Sequence, residues 1–195
     1  MNEDQNRFET VFECDLEAIS DTVSLCVAYI EGQIGQQDLE LGVSTRIKWV
    51  ITEMLTNAIK HSAVEECLLT IRINDAQVFF EKKDSGKPLT LKNYASSGVA
   101  DRGPITWPLQ EEAFPQHFQV YHNGSESLTV LAESPNRVVF YIQEIESEEM
   151  PMLLLNTSEH FGLLILTKAS DHFEYEYEPV TGINRFRSTF NLQGS

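Results

Sequence analysis

The chain has 195 residues and carries 14 lysines and arginines against 30 aspartates and glutamates, a formal charge of -16. Its length suits one domain, or one domain with an insertion, and 42% hydrophobic with 23% charged residues excludes wholesale disorder. The acidic excess argues against general nucleic-acid binding and against anionic membrane surfaces, which both call for a surplus of Lys and Arg.

In chain order, the N-terminal MNEDQNRFET lacks the basic start and apolar core of a signal peptide. No run approaches the ~18 apolar residues of a membrane span, so a reducing cytoplasm is the expected location. Arg7 to Cys14 alternates weakly and predicts an edge strand. Asp15 reads as a helix N-cap, with Leu16, Ile19, Val23, Val27 and Ile30 at helical spacing and an end near Gly32 to Gly35. A second helix is predicted from about Ser44 to His61, its apolar face made by Ile47, Val50, Ile51, Met54, Leu55, Ala58 and Ile59.

The period then changes. Cys67 to Ile73 and Val78 to Lys82 predict two strands joined by a tight turn at Asn74-Asp75, followed by a loop, Asp84 to Pro88. Leu89 to Phe114 is irregular and predicts a long loop with at most short helical pieces. His117 to Tyr121, Leu128 to Ala132 and Arg137 to Ile142 predict a β-meander, turned at Asn123-Gly124 and Ser134-Pro135-Asn136. An acidic stretch runs from Glu144 to Glu149. Phe161 to Ala169 predicts a buried helix, and Phe173 to Glu178 with Asn184 to Asn191 a closing strand pair around Thr181-Gly182. Cys14, Cys26 and Cys67 are odd in number and widely spaced, which fits neither a zinc site nor a disulfide framework. The histidine pairs, 117 with 122 and 160 with 172, have no metal-ligand company.

The charge is uneven. Val43 to Arg102 holds nine basic and seven acidic residues and nets +2, while the remainder nets -18. A near-neutral island in an acidic chain suggests a place for an anion, the bland alternative being chance clustering of a few lysines. Within it, Trp49 to Ser62 (WVITEMLTNAIKHS) puts Glu53 and Asn57 four apart on one helix face, with Lys60 and His61 a turn further on. The bland reading of this stripe is the wet side of an amphipathic helix, although asparagine in mid-helix is not called for by packing.

EMLTNAIKHS resembles the asparagine box of the GHKL superfamily (gyrases, histidine kinases and their relatives), and most closely that of the stand-alone anti-sigma-factor-type serine/threonine kinases and of histidine-kinase catalytic domains. Two further segments fit the resemblance. Asp84-Ser85-Gly86-Lys87-Pro88 resembles the family's Asp-x-Gly-x-Pro, and His160-Phe161-Gly162-Leu163 resembles Gly-x-Gly-Leu at the start of a late helix, with His160 replacing the first glycine.

The resemblance implies the Bergerat, histidine-kinase-like ATPase fold: an α+β two-layer sandwich of a mixed β-sheet with helices on one face. It spans about residues 7–88 and 159–192, within one domain that carries a β-rich inserted lid segment at about 90–158. The resemblance also implies the cofactors ATP and Mg²⁺. In that picture Asn57 is the metal ligand, Glu53 the catalytic base, and Lys60, His61, Lys87, Gly162 and Leu163 line the phosphate side. Asp84 would accept from the adenine amino group, with Gly86 allowing close approach. The implied function is an ATP-binding regulatory protein that phosphorylates a protein partner, as in a sigma/anti-sigma switch. The alternative is a catalytically silent interaction module that kept the fold, favoured by His160 and by the long insertion. A basic protein partner suits the acidic remainder, and members of the anti-sigma kind often pair as homodimers. Too few residues precede the first helix for the phosphoacceptor unit of a histidine kinase. No GxSxG, Walker A or HExxH pattern is present.

Overall fold

The computed structural model describes residues 6–34, 41–92, 104–110, 117–122, 126–144 and 160–192. Among these residues, ten strands and three helices follow one another as β1 (Arg7–Glu13), α1 (Ile19–Ile34), α2 (Leu41–Asn57), a π-helical turn (Ala58–Ser62), β2 (Glu66–Ile73), β3 (Gln77–Asp84), β4 (Leu91–Lys92), β5 (Pro104–Ile105), β6 (His117–His122), β7 (Glu126–Ser134), β8 (Arg137–Glu144), α3 (Phe161–Ala169), β9 (His172–Glu178) and β10 (Ile183–Asn191). Eight strands form one sheet in the order β1-β2-β3-β10-β9-β8-β7-β6, and β4 pairs separately with β5.

The result is an α+β protein, and one expectation changes. Every described strand pair is antiparallel, so the sheet is not mixed. The meander of the insertion joins the main sheet: β8 pairs with β9, so β6 to β8 continue it. The reason lies in β8, whose Val138 and Phe140 sit across from Tyr175 and Phe173 and extend the same apolar face.

Strand alternation sorts the sheet into two faces. Phe12, Leu69, Ile71, Phe80, Phe190, Phe173, Tyr175, Phe140 and Val130 point to one side and are buried. There they meet Cys26 and Ile30 of α1, Ile47, Val50, Ile51, Met54 and Leu55 of α2, and Leu163, Leu164 and Leu166 of α3. The other face carries no helix among the described residues and is covered by ion pairs centred on Arg187, which holds Glu81 at 2.6 Å, Glu174 at 2.9 Å and Glu176 at 2.7 Å. Burial by itself would raise Glu81 and Glu174; hydrogen bonds from Arg187, joined by Lys83 at Glu81 and by His172 and Arg137 at Glu174, outweigh it and hold both below the usual carboxylate range.

Local chemistry explains the boundaries. Asp15 caps a turn rather than the helix itself, its Oδ1 accepting from Glu17 N–H at 3.0 Å, and α1 starts four residues later. α1 runs through Gly32 to Ile34. α2 starts before the expected Ser44 and gives way to the π-helical turn after Asn57. In the stretch expected to be a loop with helical pieces, residues 91–92 and 104–105 instead pair as strands. Gly182, at φ 69, makes the β9–β10 turn that Thr181-Gly182 predicts. The Asn123-Gly124 turn, residues 145–149 and about half of the insertion lie outside the described residues. No described helix is long and apolar enough to cross a membrane.

Candidate functional site

The three motif segments converge at the C-terminal end of α2. Glu53 and Asn57 lie half-buried on the flank of that helix that faces α3. Gly162, second residue of α3, rests directly on them. A Cβ there would fall on the Glu53 carboxylate and come to 3.2 Å from Asn57 Nδ2. Any other residue at 162 would push α3 off the carboxylate, or the carboxylate aside. The Glu53 and Asn57 side chains make no hydrogen bond or ion pair among the described residues. Glu53 also opens onto a groove of about 710 Å³ between α2 and α3, lined by Arg46, Trp49, Ile165 and Lys168.

Just before α3, His160 adopts φ 68 and ψ 3, the left-handed region, and its carbonyl accepts from Leu164 N–H at 3.1 Å. Glycine adopts that conformation at no steric cost, whereas an L side chain pays about 1–2 kcal/mol. The position that lacks the motif's first glycine thus keeps a glycine-like backbone. Leu163 is buried at the foot of the helix and anchors its first turn in the core.

Asp84 ends β3 and is the centre of a closed network. Its Oδ1 accepts from Gly86 N–H and from Asn184 Nδ2, both at 2.9 Å. Its Oδ2 accepts from Lys82 Nζ at 2.5 Å and Ser62 Oγ at 3.3 Å. Lys82 and Asp84 form an ion pair whose side chains are 2% and 0% exposed. Burial alone would raise the Asp84 carboxyl; the Lys82 ammonium and these donors outweigh it and hold the group below the ordinary aspartate range.

The network extends outward. Asn184 Oδ1 accepts from the Tyr175 hydroxyl at 2.6 Å, and that hydroxyl accepts from Leu89 N–H at 3.0 Å. The Trp107 indole N–H donates to Leu89 O at 2.5 Å, and its ring sits edge-on to Tyr175. Lys82 lies 4.5 Å over the Phe186 ring, a second electrostatic partner. Gly86 is held against the end of the π-helical turn, where a Cβ would fall on the Ser62 carbonyl; Lys87 N–H donates to that carbonyl at 3.2 Å.

Apart from Leu163, which is packed in the core, the predicted residues thus separate into three groups. Glu53, Asn57 and Gly162 touch one another; Asp84 and Gly86 join through Ser62 at the other end of the same turn. Lys60, His61 and Lys87 have exposed side chains at the rim. Lys82, Ser62, Tyr175 and Asn184 were missed. Two signals were available for Lys82 and Asn184: Lys82 is two residues before Asp84 on one strand and so shares its face, and Asn184 is the register partner of Asp84 across β3 and β10.

Among the described residues no group of His, Cys, Asp and Glu could hold a metal ion, and Cys14, Cys26 and Cys67 are free thiols, with Cys67 pushed up to about 12 by burial. The sequence matches no protein-family model, and no curated protein matches it.

Proposed function

We propose that this chain is a regulatory protein-interaction module built on a histidine-kinase-like (Bergerat) fold, in which the adenine end of the ancestral nucleotide site is closed by the protein's own side chains. The reading rests on one observation: both oxygens of Asp84 are already engaged, by Lys82, Ser62, Gly86 and Asn184. A carboxylate in that state has no lone pair directed at an incoming amino group. Opening it would strand the Lys82 charge in a dry site, at a cost of several kcal/mol. The residues at that end therefore do not fit an adenine ring. Support for the fold itself comes from the three motif segments meeting at one end of α2, and from the helix, strand, glycine turn and strand that close the chain.

Titration calorimetry with Mg-ATP tests the proposal. It expects no heat at protein concentrations suited to micromolar binding. Saturable heat that disappears in Asn57→Ala would overturn it.

A second reading, an ATP-dependent serine/threonine kinase, is favoured by the phosphate end. There Glu53 and Asn57 sit side by side without hydrogen-bond partners among the described residues, as a base and a metal ligand would before substrate arrives. It expects γ-phosphate transfer to a basic or regulatory protein partner, lost in Glu53→Ala. The acidic balance of the chain, -16, supports a basic partner on either reading.

A further inference from the structure

α2 and α3 run antiparallel, with Glu53 beside Gly162 at one end and Arg46 bound to Asp171, just past α3, at the other. Between them lies the groove of about 710 Å³ onto which Glu53 opens. Its walls are two helical stripes. Arg46, Trp49 and Glu53 recur at i, i+3 and i+7 along α2, and Ile165 and Lys168 face them from α3. Phe161, four residues before Ile165, extends the α3 stripe by one turn. Trp49 is 60% exposed and Phe161 47%, and no other described Trp, Tyr or Phe is exposed. Single apolar residues are ordinary on a surface. Both exposed aromatic rings bordering one cleft are not, because large rings are left in water where a partner covers them.

The charges around the groove differ in how free they are. Arg46 gives Asp171 two hydrogen bonds, at 2.9 and 3.3 Å, and Lys168 holds both oxygens of Glu126, at 2.7 and 2.8 Å. Glu53 has no such partner among the described residues. The lining charge left for an incoming group is therefore negative, as is the chain as a whole at -16. The face of the Trp49 ring adds an acceptor for a cation. We propose that this groove holds a basic amphipathic helix of a protein partner. An apolar side chain of that helix sits between Trp49 and Ile165, and a Lys or Arg one turn away reaches the Glu53 carboxylate. Both walls are helices and offer no strand to pair with, so an extended peptide would leave its backbone groups unpaired against apolar side chains. A helix satisfies its own. The nine residues of α3 span about 13 Å, room for anchors over about two helical turns. The groove's role rests on the interaction-module reading and names the chemistry of its partner.

The test uses a fluorescently labelled Leu/Lys peptide of about fourteen residues, patterned as an amphipathic helix, and a Leu/Glu peptide of the same pattern. Anisotropy is followed on the full chain at about 0.15 M salt without nucleotide, with circular dichroism and thermal melting as folding controls. The Leu/Lys peptide is expected to bind in the micromolar range and the Leu/Glu peptide not to bind. Trp49→Ala removes an exposed ring and is expected to weaken binding roughly tenfold. Glu53→Gln is expected to weaken it roughly fivefold. Glu66→Gln makes the same charge change on the other face of the sheet, since its neighbour Cys67 faces the helices, and is expected to leave binding unchanged. No binding of the Leu/Lys peptide, equal binding of the two peptides, a wild-type affinity in Trp49→Ala, or equal losses in Glu53→Gln and Glu66→Gln would each overturn the assignment. Calorimetry with Mg-ATP keeps the two readings apart. Peptide binding lost with no Mg-ATP heat removes the groove and leaves the module, whereas Mg-ATP heat with the peptide bound as expected removes the closed nucleotide site and supports the groove.

Discussion

The two ends of the candidate site use the same helix and differ in how much freedom their polar groups retain. At the Asp84 end every acceptor is used, the ion pair is dry, and the glycine abuts backbone. At the Glu53 end the carboxylate and amide are half-buried, make no hydrogen bond among the described residues, and lie against the bare Cα of Gly162. A buried charge that is fully paired resists change, whereas a partly wet carboxylate beside a glycine can reorient at little cost. The first end therefore acts as structure, and the second remains available for chemistry or for a partner.

The largest expected effect breaks the closed end. Lys82→Ala leaves the Asp84 charge buried without its counter-ion and should cost about 3–5 kcal/mol, read as a shift in urea midpoint. Replacing both partners, Lys82→Met with Asp84→Leu, should cost clearly less, because no charge is left unpaired. A single variant as stable as the wild type would mean that this end is solvated, and would reopen it to a ligand. The pair also sets an acid limb. Because the folded Asp84 carboxyl lies below its unfolded value, its stabilisation is complete above about pH 4 and disappears as pH falls through the lower folded value. The double variant should therefore lose stability less steeply in acid than the wild type.

The glycines sharpen the contrast at smaller magnitude. Alanine at Gly86 meets the Ser62 carbonyl, which is backbone and cannot swing away, so Gly86→Ala should cost about 1–3 kcal/mol. Alanine at Gly162 meets the far end of a flexible glutamate, so Gly162→Ala should cost less, and Glu53→Ala in the same chain should recover most of the loss. Equal costs for the two glycines, measured by thermal or urea unfolding, would remove the distinction between the ends.

Smaller still, His160→Gly should exceed His160→Ala in stability by about 1 kcal/mol, because only glycine relieves the left-handed backbone. Asn57→Ala should change stability by no more than about 0.5 kcal/mol, since its side chain has no hydrogen-bond partner to lose among the described residues. A larger loss would show the amide to be structural after all.

The strand and helix pattern was largely legible because it follows from local periodicity. Phe161–Ala169 runs as expected, and the strands of the meander and of the closing pair fall where alternation and turn residues put them. Their assembly was less legible. Whether β6 to β8 form their own layer or extend the main sheet depends on which edge β8 meets, and Val138 and Phe140 would satisfy either arrangement as sequence. The π-helical turn at Ala58–Ser62 was invisible for the same reason: nothing local requires it, yet it ends where Ser62 meets Asp84 and Gly86.

What the sequence by itself determined is the longer helices and strands, the acidic balance, and the three segments whose residue types can carry anion or metal chemistry. These depend on side-chain type and spacing along the chain. Only the tertiary structure decided which of those residues remain available. Lys82 and Asn184 lie 102 positions apart in the chain, yet both converge on Asp84, on its own strand and on the paired one. Occupancy of a carboxylate is set by what the fold brings within hydrogen-bond reach, and that depends on strand pairing between distant segments rather than on the motif around it.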